Sequence, residues 1–238
     1  MDILKRIKIF YDGIHIEKFN NIDYIKGYTT NPSILNNDTI KNKFSNYVDF
    51  ATYFLSKSNG LPVSFEIFAD DYDEIIKQAL EINSWGQNVY VKIPIINTKG
   101  EYNDRVITTL NNLHIKLNIT AIFTNEGVDV AYNSLQKKYI PTIISLFCGR
   151  IADTGVDPKD ICDYTYSLCK NDKDIEILWA STREVYNIYT AIACKCDIIT
   201  IPDDILSKLN YIGKDLHEYS LDTVKKFYDD GLKSNIQF

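Results

Sequence analysis

The sequence predicts an α/β protein in which a single (β/α)8 (TIM) barrel occupies residues 1–238 and ends in a C-terminal helix. About eight short apolar segments are each followed by a segment with helical spacing of its apolar residues. The length of 238 residues is near the norm for such a barrel. A doubly wound open sheet is the alternative, but no GxGxxG turn follows the first strand, as that fold would favour.

The predicted elements alternate along the whole chain. Strands are predicted at Lys8–Tyr11, Tyr24–Tyr28, Val63–Phe68, Val89–Pro94, Ile115–Thr120, Thr142–Ser145, Glu176–Ala180 and Asp197–Pro202. Helical segments are predicted at His15–Asn20, Thr39–Ser58, Tyr72–Ser84, Asn103–Leu113, Asn125–Lys137, from Asp157-Pro158 onward, at Arg183–Cys194 and at Ser220–Ser234. Pro32 cannot pair in a sheet and favours an extended residue before it, which puts Asn31 at a strand end.

Composition disfavours several classes of function. The net charge of -6 argues against a broad nucleic-acid surface. No apolar run is long enough to cross a membrane, and the first residues lack the apolar core of a signal peptide. The five cysteines lack zinc-type spacing and the three histidines lie far apart, so we expect no metal site and free thiols in a reducing cytoplasm.

Lys92 is out of place in the strand Val89–Pro94, which otherwise reads as fully buried. Burying an ammonium costs several kcal/mol unless it is paired or gives up its proton. A neutral amine attacks carbonyl carbons and forms Schiff bases. The alternative is a lysine that extends to solvent or pairs with a carboxylate.

Polar residues stand at the carboxyl end of nearly every predicted strand, where the active sites of barrels lie. They are Asp12, Thr29, Asn31, Glu66, Lys92, Asn118, Thr120, Ser145, Ser181 and Arg183. Each has a structural alternative taken singly: Asp12 or Ser181 could cap a helix, Asn31 could hold a turn, and Asn118 could be an edge residue. Together, an amine nucleophile, two carboxylates, hydroxyls and amides indicate carbonyl chemistry on a polyol.

Arg150 adds a second arginine near the same face. Two arginines with Ser181 would suit a phosphate monoester, although both could be ordinary surface residues.

Five stretches, in order and spanning about residues 8–205, together resemble the transaldolase family. They are Gly27–Ile34 (GYTTNPSI), Val91–Pro94 (VKIP), Leu117–Thr120 (LNIT), Ser145–Arg150 (SLFCGR) and Ala180–Arg183 (ASTR). They are similar, respectively, to the family's T-T-N-P-S signature, Schiff-base lysine motif, N-x-T strand, S-P-F-x-G-R-I segment and A-S-F-R. The first is fairly specific; the others gain weight from their order.

The resemblance implies a class I aldolase-type barrel with no metal or other cofactor, acting on sugar phosphates of the pentose phosphate pathway. It implies that Lys92 forms the Schiff base and that Asp12 takes the proton of the sugar C4 hydroxyl. It also implies that Glu66 and Thr120 hold a water molecule that shuttles protons. Asn31, Asn118 and Ser145, with Thr29 beside them, would hold the dihydroxyacetone unit. Arg150, Ser181 and Arg183 would bind the phosphate.

A related branch, the small fructose 6-phosphate aldolases, has similar motifs and length. It carries glutamine, tyrosine and lysine where this chain has Glu66, Phe147 and Arg183. Phe147 cannot deliver the water that releases the three-carbon unit, so these positions favour transfer. An aldolase that releases dihydroxyacetone, or a barrel that binds sugar phosphate without turnover, stays as an alternative.

Three departures from the family pattern bear on the site. Gly13 follows Asp12 where a hydroxyl residue is usual, Leu146 replaces proline, and Thr182 replaces phenylalanine. The last two put the identity of the acceptor in question more than the chemistry of the lysine. Homo-oligomerisation is possible, with the C-terminal helix near Phe227 and Tyr228 as a candidate contact.

Overall fold

The computed structural model describes residues 2–234 and 236, and in that part eight parallel strands close into a barrel in chain order. The strands are Lys8–Asp12 (β1), Ile25–Thr29 (β2), Val63–Glu66 (β3), Val89–Pro94 (β4), Leu117–Ile122 (β5), Thr142–Leu146 (β6), Ile175–Trp179 (β7) and Ile198–Pro202 (β8). The predicted (β/α)8 barrel is confirmed.

Helices follow the strands. They are Pro32–Leu35 (α1), Asp38–Lys43 (α2), Tyr47–Lys57 (α3), Tyr72–Ser84 (α4), Asp104–Asn112 (α5), Asn125–Ser134 (α6), Cys148–Asp153 (α7), Lys159–Cys169 (α8), Asn187–Ala193 (α9), Asp203–Leu206 (α10) and Leu216–Lys233 (α11). Short 3-10 turns lie at Asp2–Lys5, Ile16–Lys18 and Ser207–Tyr211.

The chain divides into two compact units between Leu206 and Ser207. The first unit contains the barrel, and the second contains α11. A single domain over residues 1–238 therefore stays a prediction, and residues 1, 235, 237 and 238 of it lie outside the described part. A role of Phe227 and Tyr228 in oligomerisation also stays a prediction, although both side chains are exposed.

The barrel interior is built in layers because side chains alternate between the two faces of a strand. Near the amino-terminal end, apolar residues fill it, among them Phe10, Tyr90, Ile143 and Ile198. Gly27 makes room for this layer, since a Cβ there would lie 2.4 Å from the Phe10 ring. Two residues further along the strands, the interior positions become polar.

Helical apolar faces cover the outside of the barrel. Phe50 and Phe54 of α3 are fully buried and pack against Phe65 of β3, with ring centroids 6.4 and 6.2 Å away. Burying such rings supplies most of the free energy that holds the helix layer on the sheet.

One helix was predicted as continuous, and this prediction is wrong. Thr39–Ser58 is two helices, α2 and α3, separated at residues 44–46. The Asn46 side chain accepts a hydrogen bond from the Asp49 backbone N–H at 2.9 Å and so begins α3 as an N-cap. Phe44 turns back onto Phe50, with ring centroids 5.5 Å apart. Local capping therefore interrupts the helical spacing.

Two further helices begin at other residues than predicted. The helix predicted from Arg183 starts at Asn187, whose Oδ1 accepts hydrogen bonds from the backbone N–H groups of Arg183 and Glu184 and holds them in a turn. The last helix starts at Leu216 instead of Ser220, because Asp215 caps the N–H groups of His217 and Glu218.

Candidate active site

A cavity of about 210 Å³ lies where the strands end, and it collects the side chains that the sequence predicts. Within the described residues, eleven of the twelve line it: Asp12, Thr29, Asn31, Lys92, Asn118, Thr120, Ser145, Phe147, Arg150, Ser181 and Arg183. The twelfth, Glu66, contacts Lys92. Residues from strands more than a hundred positions apart thus meet in one place.

Lys92 lies deep in this cavity, with its side chain 8% exposed. Its Nζ is 3.0 Å from Glu66 Oε2 and donates to the backbone oxygen of Thr30 at 3.0 Å. Strand pairing sets this geometry, because Glu66 on β3 is directly opposite Lys92 on β4. Tyr47 donates to the backbone oxygen of Glu66 at 3.1 Å, which ties α3 to the end of β3. The amine is therefore held beside a carboxylate that can exchange a proton with it.

Asp12 ends β1 and is half-buried. Its Oδ1 accepts a hydrogen bond from Thr29 Oγ1 at 2.7 Å. Burial raises the pKa of the Asp12 carboxyl above its usual range, the positive charge of Lys92 and the Thr29 bond oppose the rise, and the negative charge of Glu66 adds to it. A carboxylate with a raised pKa is the stronger base.

Asn118 is fully buried and bonded at both ends of its amide. Its Nδ2 donates to Ser64 Oγ at 2.9 Å, and its Oδ1 accepts from Ser145 Oγ at 2.6 Å. These bonds fix the orientation of the amide, and Nδ2 keeps a second proton for a ligand.

Thr120 lies where the backbone of β5 is irregular. The pairing register shifts between Ile119 and Ile122, and Ala121 has a φ of +57°. A non-glycine residue in that region costs on the order of 1–2 kcal/mol, and such strain clusters at functional sites. The Thr120 hydroxyl is buried and has no hydrogen-bond partner among the described residues. It is free to bind a ligand or a water molecule.

Asn31 caps a helix, whereas the structural alternative predicted for it was to hold a turn. Its Oδ1 accepts from the backbone N–H of Ile34 at 3.0 Å and begins α1. Its side chain also lines the cavity, so capping and ligand contact are compatible here.

The arginine side of the cavity is built from segments that follow β6 and β7. Arg150 of α7 lies over the ring of Phe147, with the guanidinium carbon 5.1 Å from the ring centroid. Arg183 is bound to Asp153 at the end of α7, through Nη2 at 2.5 Å and Nε at 3.1 Å. Both partners of this ion pair are about half exposed.

Ser181 does not cap a helix, contrary to its structural alternative. It has a φ of +64° and stands six residues before α9 begins. Gly149 packs against it so closely that a Cβ there would lie 1.6 Å from the Ser181 carbonyl oxygen. The absence of a side chain at Gly149 therefore lets α7 approach the segment that carries Ser181 and Arg183.

Three buried hydroxyl residues at this end of the barrel, Ser64, Thr182 and Thr200, were not predicted as site residues, although the sequence marked Thr182 as a departure from the family pattern. Thr200 is the one polar residue in the apolar run Ile198–Pro202, and strand alternation places it on the same face as Ile198. That signal was available. The partners of Ser64 and Thr182 lie on other strands and leave no local signal.

A larger cavity of about 1080 Å³ lies at the opposite end, where the strands begin. Its lining includes Lys8, Phe10, Tyr90 and Asp197, and it shares no described residue with the polar cavity. Hydrocarbon and aromatic rings form its floor. The lysine–carboxylate pair in its lining, Lys8 with Glu176, lies toward solvent, with the two side chains 54% and 26% exposed. The buried lysine–carboxylate pair, Lys92 with Glu66, belongs to the smaller cavity, so the smaller cavity is the candidate active site.

All five cysteines are free and buried, and Cys148 Sγ lies 3.6 Å from Cys162 Sγ. Among the described residues, no group of three or more His, Cys, Asp or Glu side chains is arranged to hold a metal ion. Within the same residues, no helix combines the length and the apolar character that crossing a membrane requires.

A structural comparison supports the fold. The chain matches a crystal structure from Sinorhizobium meliloti that carries a provisional isomerase name, captured in an open-loop conformation, with a TM-score of 0.57. Sequence identity is 7%, and the match covers 84% of this chain and 52% of that one, so this chain spans about half its length. At that identity the likeness shows the fold alone.

Curated proteins that are similar to this chain in sequence carry the same name. Proteins named "Probable transaldolase" from Thermoplasma acidophilum and Methanococcus maripaludis are 30% and 32% identical, each over 85% of this chain and over 87% and 89% of their own. One from Bdellovibrio bacteriovorus is 28% identical over 96% of this chain and 99% of its own. A model of the family described as Transaldolase/Fructose-6-phosphate aldolase matches residues 9–236. The chain belongs to the transaldolase/fructose-6-phosphate aldolase family.

Proposed function

We propose that this protein is a transaldolase that moves a dihydroxyacetone unit from a ketose phosphate to an aldose phosphate through a Schiff base on Lys92. The observation that carries the proposal is the position of the Lys92 amine, deep in a polar cavity and 3.0 Å from the carboxylate of Glu66. The family match and the names of the relatives support the same reaction class.

Imine formation requires a neutral amine, because an ammonium has no lone pair with which to attack a carbonyl. Glu66 lies within reach of the Lys92 proton. The Thr120 hydroxyl, without a partner among the described residues, is the proposed ligand of the water that carries protons between the amine, Glu66 and the substrate oxygen. Loss of water from the first adduct then gives a protonated imine, which is an electron sink.

Asp12 is the proposed base for the C4 hydroxyl of the bound sugar. Its removal of that proton breaks the C3–C4 bond and sends the bonding electrons into the imine, which becomes an enamine. An aldose phosphate leaves, and the three-carbon unit stays on Lys92. Addition of the enamine carbon to the aldehyde of an acceptor reverses these steps, and Asp12 returns the proton.

Asn31, Asn118 and Ser145 are the proposed holders of the three-carbon unit. The amide of Asn118 is already oriented by Ser64 and Ser145, so little ordering entropy is lost when it binds a hydroxyl. Arg150, Ser181 and Arg183 are the proposed phosphate ligands, since guanidinium groups bind phosphate oxygens with paired hydrogen bonds.

The second candidate function is release of free dihydroxyacetone, because the family that the chain matches includes fructose 6-phosphate aldolases. Phenylalanine at position 147 favours transfer over release, as its ring has no proton to deliver. The donor, fructose 6-phosphate or sedoheptulose 7-phosphate, stays a prediction. So do the pentose phosphate pathway, a cytoplasmic location and a homo-oligomeric state.

Borohydride trapping tests the proposal. The protein is incubated with fructose 6-phosphate, reduced with borohydride, and analysed by intact mass and peptide mapping. We expect one adduct with the mass of a reduced dihydroxyacetone unit, located on Lys92. Lys116→Ala, which removes a half-buried lysine outside the polar cavity, should trap the same adduct. A folded protein that gives no adduct, or one that maps to another lysine, would contradict the proposal.

A further inference from the structure

Three threonine hydroxyls link Asp12 to β8 and to the segment that follows β7. Thr29 Oγ1 donates to Asp12 Oδ1 at 2.7 Å, and Thr200 Oγ1 lies 2.6 Å from Thr29 Oγ1. Thr182 Oγ1 donates to the backbone oxygen of Thr200 at 2.7 Å. All three threonines are at most 5% exposed, so water does not compete freely for these bonds.

The direction of the hydrogen bonds follows from proton counting. A threonine hydroxyl has one proton, and an ionised carboxylate only accepts. The Thr29 proton therefore lies on the bond to Asp12. Of the two hydroxyls at 2.6 Å, Thr200 must then be the donor and Thr29 the acceptor.

From this geometry we propose that Thr200 is a positioning residue for Asp12, which acts by directing the Thr29 hydroxyl onto the carboxylate. The inference rests on the proposed function, in which Asp12 is the base. Thr182 extends the arrangement, because its bond to the Thr200 carbonyl joins the end of β8 to the segment that carries Ser181 and Arg183.

The consequence is a dependence of the reaction on pH. Hydrogen bonds in a chain strengthen one another in a buried site. Donation from Thr200 therefore strengthens the bond from Thr29, which opposes the effect of burial on the Asp12 pKa. Without the Thr200 hydroxyl the pKa of Asp12 rises further, and the base becomes protonated at a higher pH than in the wild type.

Other ionisable groups surround Asp12, but replacing Thr200 changes none of them chemically. They are Lys92 on β4, Glu66 on β3, Tyr11 on β1, Asp203 on α10, and Arg150 and Arg183 across the cavity.

Thr200→Val removes the hydroxyl and keeps the branched shape, and Thr200→Ser restores the hydroxyl. Thr142→Val is the matched control: Thr142 is equally buried on β6 and donates to the backbone oxygen of Ile140 at the other end of the barrel. Thr200→Ala is measured as well, so that a folding defect of the valine variant does not end the test. Each variant is assayed for kcat and KM across pH and for borohydride trapping on Lys92.

Relative to the wild type, we expect the acidic limb of kcat/KM to move to higher pH by about half a unit in Thr200→Val and Thr200→Ala. Activity near neutral pH should fall by about fivefold, mainly through kcat, which corresponds to about one hydrogen bond. Thr200→Ser and Thr142→Val should keep the wild-type limb. Borohydride should still trap a sugar on Lys92 in all of them, as the intact ketose or as the three-carbon unit, since formation of the first imine precedes the step that needs Asp12.

Three results would overturn the inference. An unchanged acidic limb in variants that still trap the adduct would reject the positioning role alone. A rise in KM without a shift of the limb would mean that Thr200 binds substrate directly. No adduct in the wild type would reject the proposed function, and this inference with it.

Discussion

The two sides of the cavity differ in how firmly they are held. On the lysine side, Lys92, Asn118 and Ser145 stand on strands, are at most 6% exposed and are bonded to one another or to neighbouring strands. On the arginine side, Arg150 and Arg183 follow the strands and are exposed, and Arg183 is bound to Asp153. The lysine side is already organised by these bonds, whereas on the arginine side Asp153 occupies the Nε and Nη2 donors of Arg183.

Because of this contrast, mutations on the two sides of the cavity should change different kinetic constants. Groups that are buried and pre-oriented lower the barrier to reaction when the site needs no rearrangement. Exposed cations mainly supply binding energy that is shared by substrate and transition state. Changes on the lysine side should therefore act on kcat, and changes on the arginine side on KM.

The largest expected effect is that of Lys92→Ala, which should abolish both turnover and borohydride trapping. It should also lower the melting temperature, because Glu66, with its side chain 13% exposed, would lose its ionic partner. Breaking a buried pair in this way typically costs about 3–5 kcal/mol. Thermal unfolding and an activity assay measure the two effects separately.

A double variant distinguishes loss of chemistry from loss of fold. Lys92→Ala with Glu66→Gln removes the unpaired charge, so it should recover part of the lost stability and no activity. A Lys92→Ala protein with normal turnover would contradict the role of the lysine. Equal melting temperatures of the single variant and the wild type would contradict the contribution of the ion pair.

Arg183→Ala should raise KM for phosphorylated substrates by about tenfold to a hundredfold, because a hydrogen bond to a charged group contributes about 1.5–3 kcal/mol. The value of kcat should change little. Steady-state kinetics with phosphorylated and unphosphorylated ketoses measure this effect. Arg105→Ala is the control, since that arginine stacks on Tyr72 away from the polar cavity. An unchanged KM in Arg183→Ala would remove this residue from the phosphate site.

Phe147 lies between the two sides: it packs against the apolar layer of the barrel and under Arg150. Phe147→Tyr places a hydroxyl in the cavity that can activate water, so we expect free dihydroxyacetone to rise relative to transfer by about tenfold. Product analysis with and without an acceptor aldose phosphate measures the ratio. Phe123→Tyr, at the neighbouring ring 5.4 Å away, is the control, as this residue does not line the cavity. No change in the ratio would argue against our interpretation of Phe147.

The smallest expected effect is that of Asp153→Asn, which should lower KM for phosphorylated substrates by about twofold to threefold. Neutralising Asp153 frees Arg183 for phosphate, and exposed ion pairs are worth only about 0.2–1 kcal/mol. Asp160→Asn, an exposed carboxylate in the first turn of α8, is the control. A higher KM in Asp153→Asn would mean that the ion pair orients Arg183 for binding.

Sequence patterns sufficed for the barrel and for most of the cavity. Strand alternation is a local property with a period of two residues, and the carboxyl ends of parallel strands share one end of a barrel. For that reason Asp12, Asn118 and Ser145 could be assigned to one site from their positions in separate strands. Pro32 indicated the position of Asn31, and the segment after β6 indicated that of Arg150, although both residues lie outside the strands.

Only the tertiary structure decided which of these groups bind one another. Lys92 and the Thr30 carbonyl are 62 residues apart, and Thr29 and Thr200 are 171 apart. Neither periodicity nor spacing carries information at such separations. The same holds for the ion pair of Arg183 with Asp153, 30 residues away, and for the positive φ of Ser181. The sequence by itself determined which side chains reach the site, since that depends on local alternation. The closed barrel decided how they are bonded, since that depends on which strands it brings side by side.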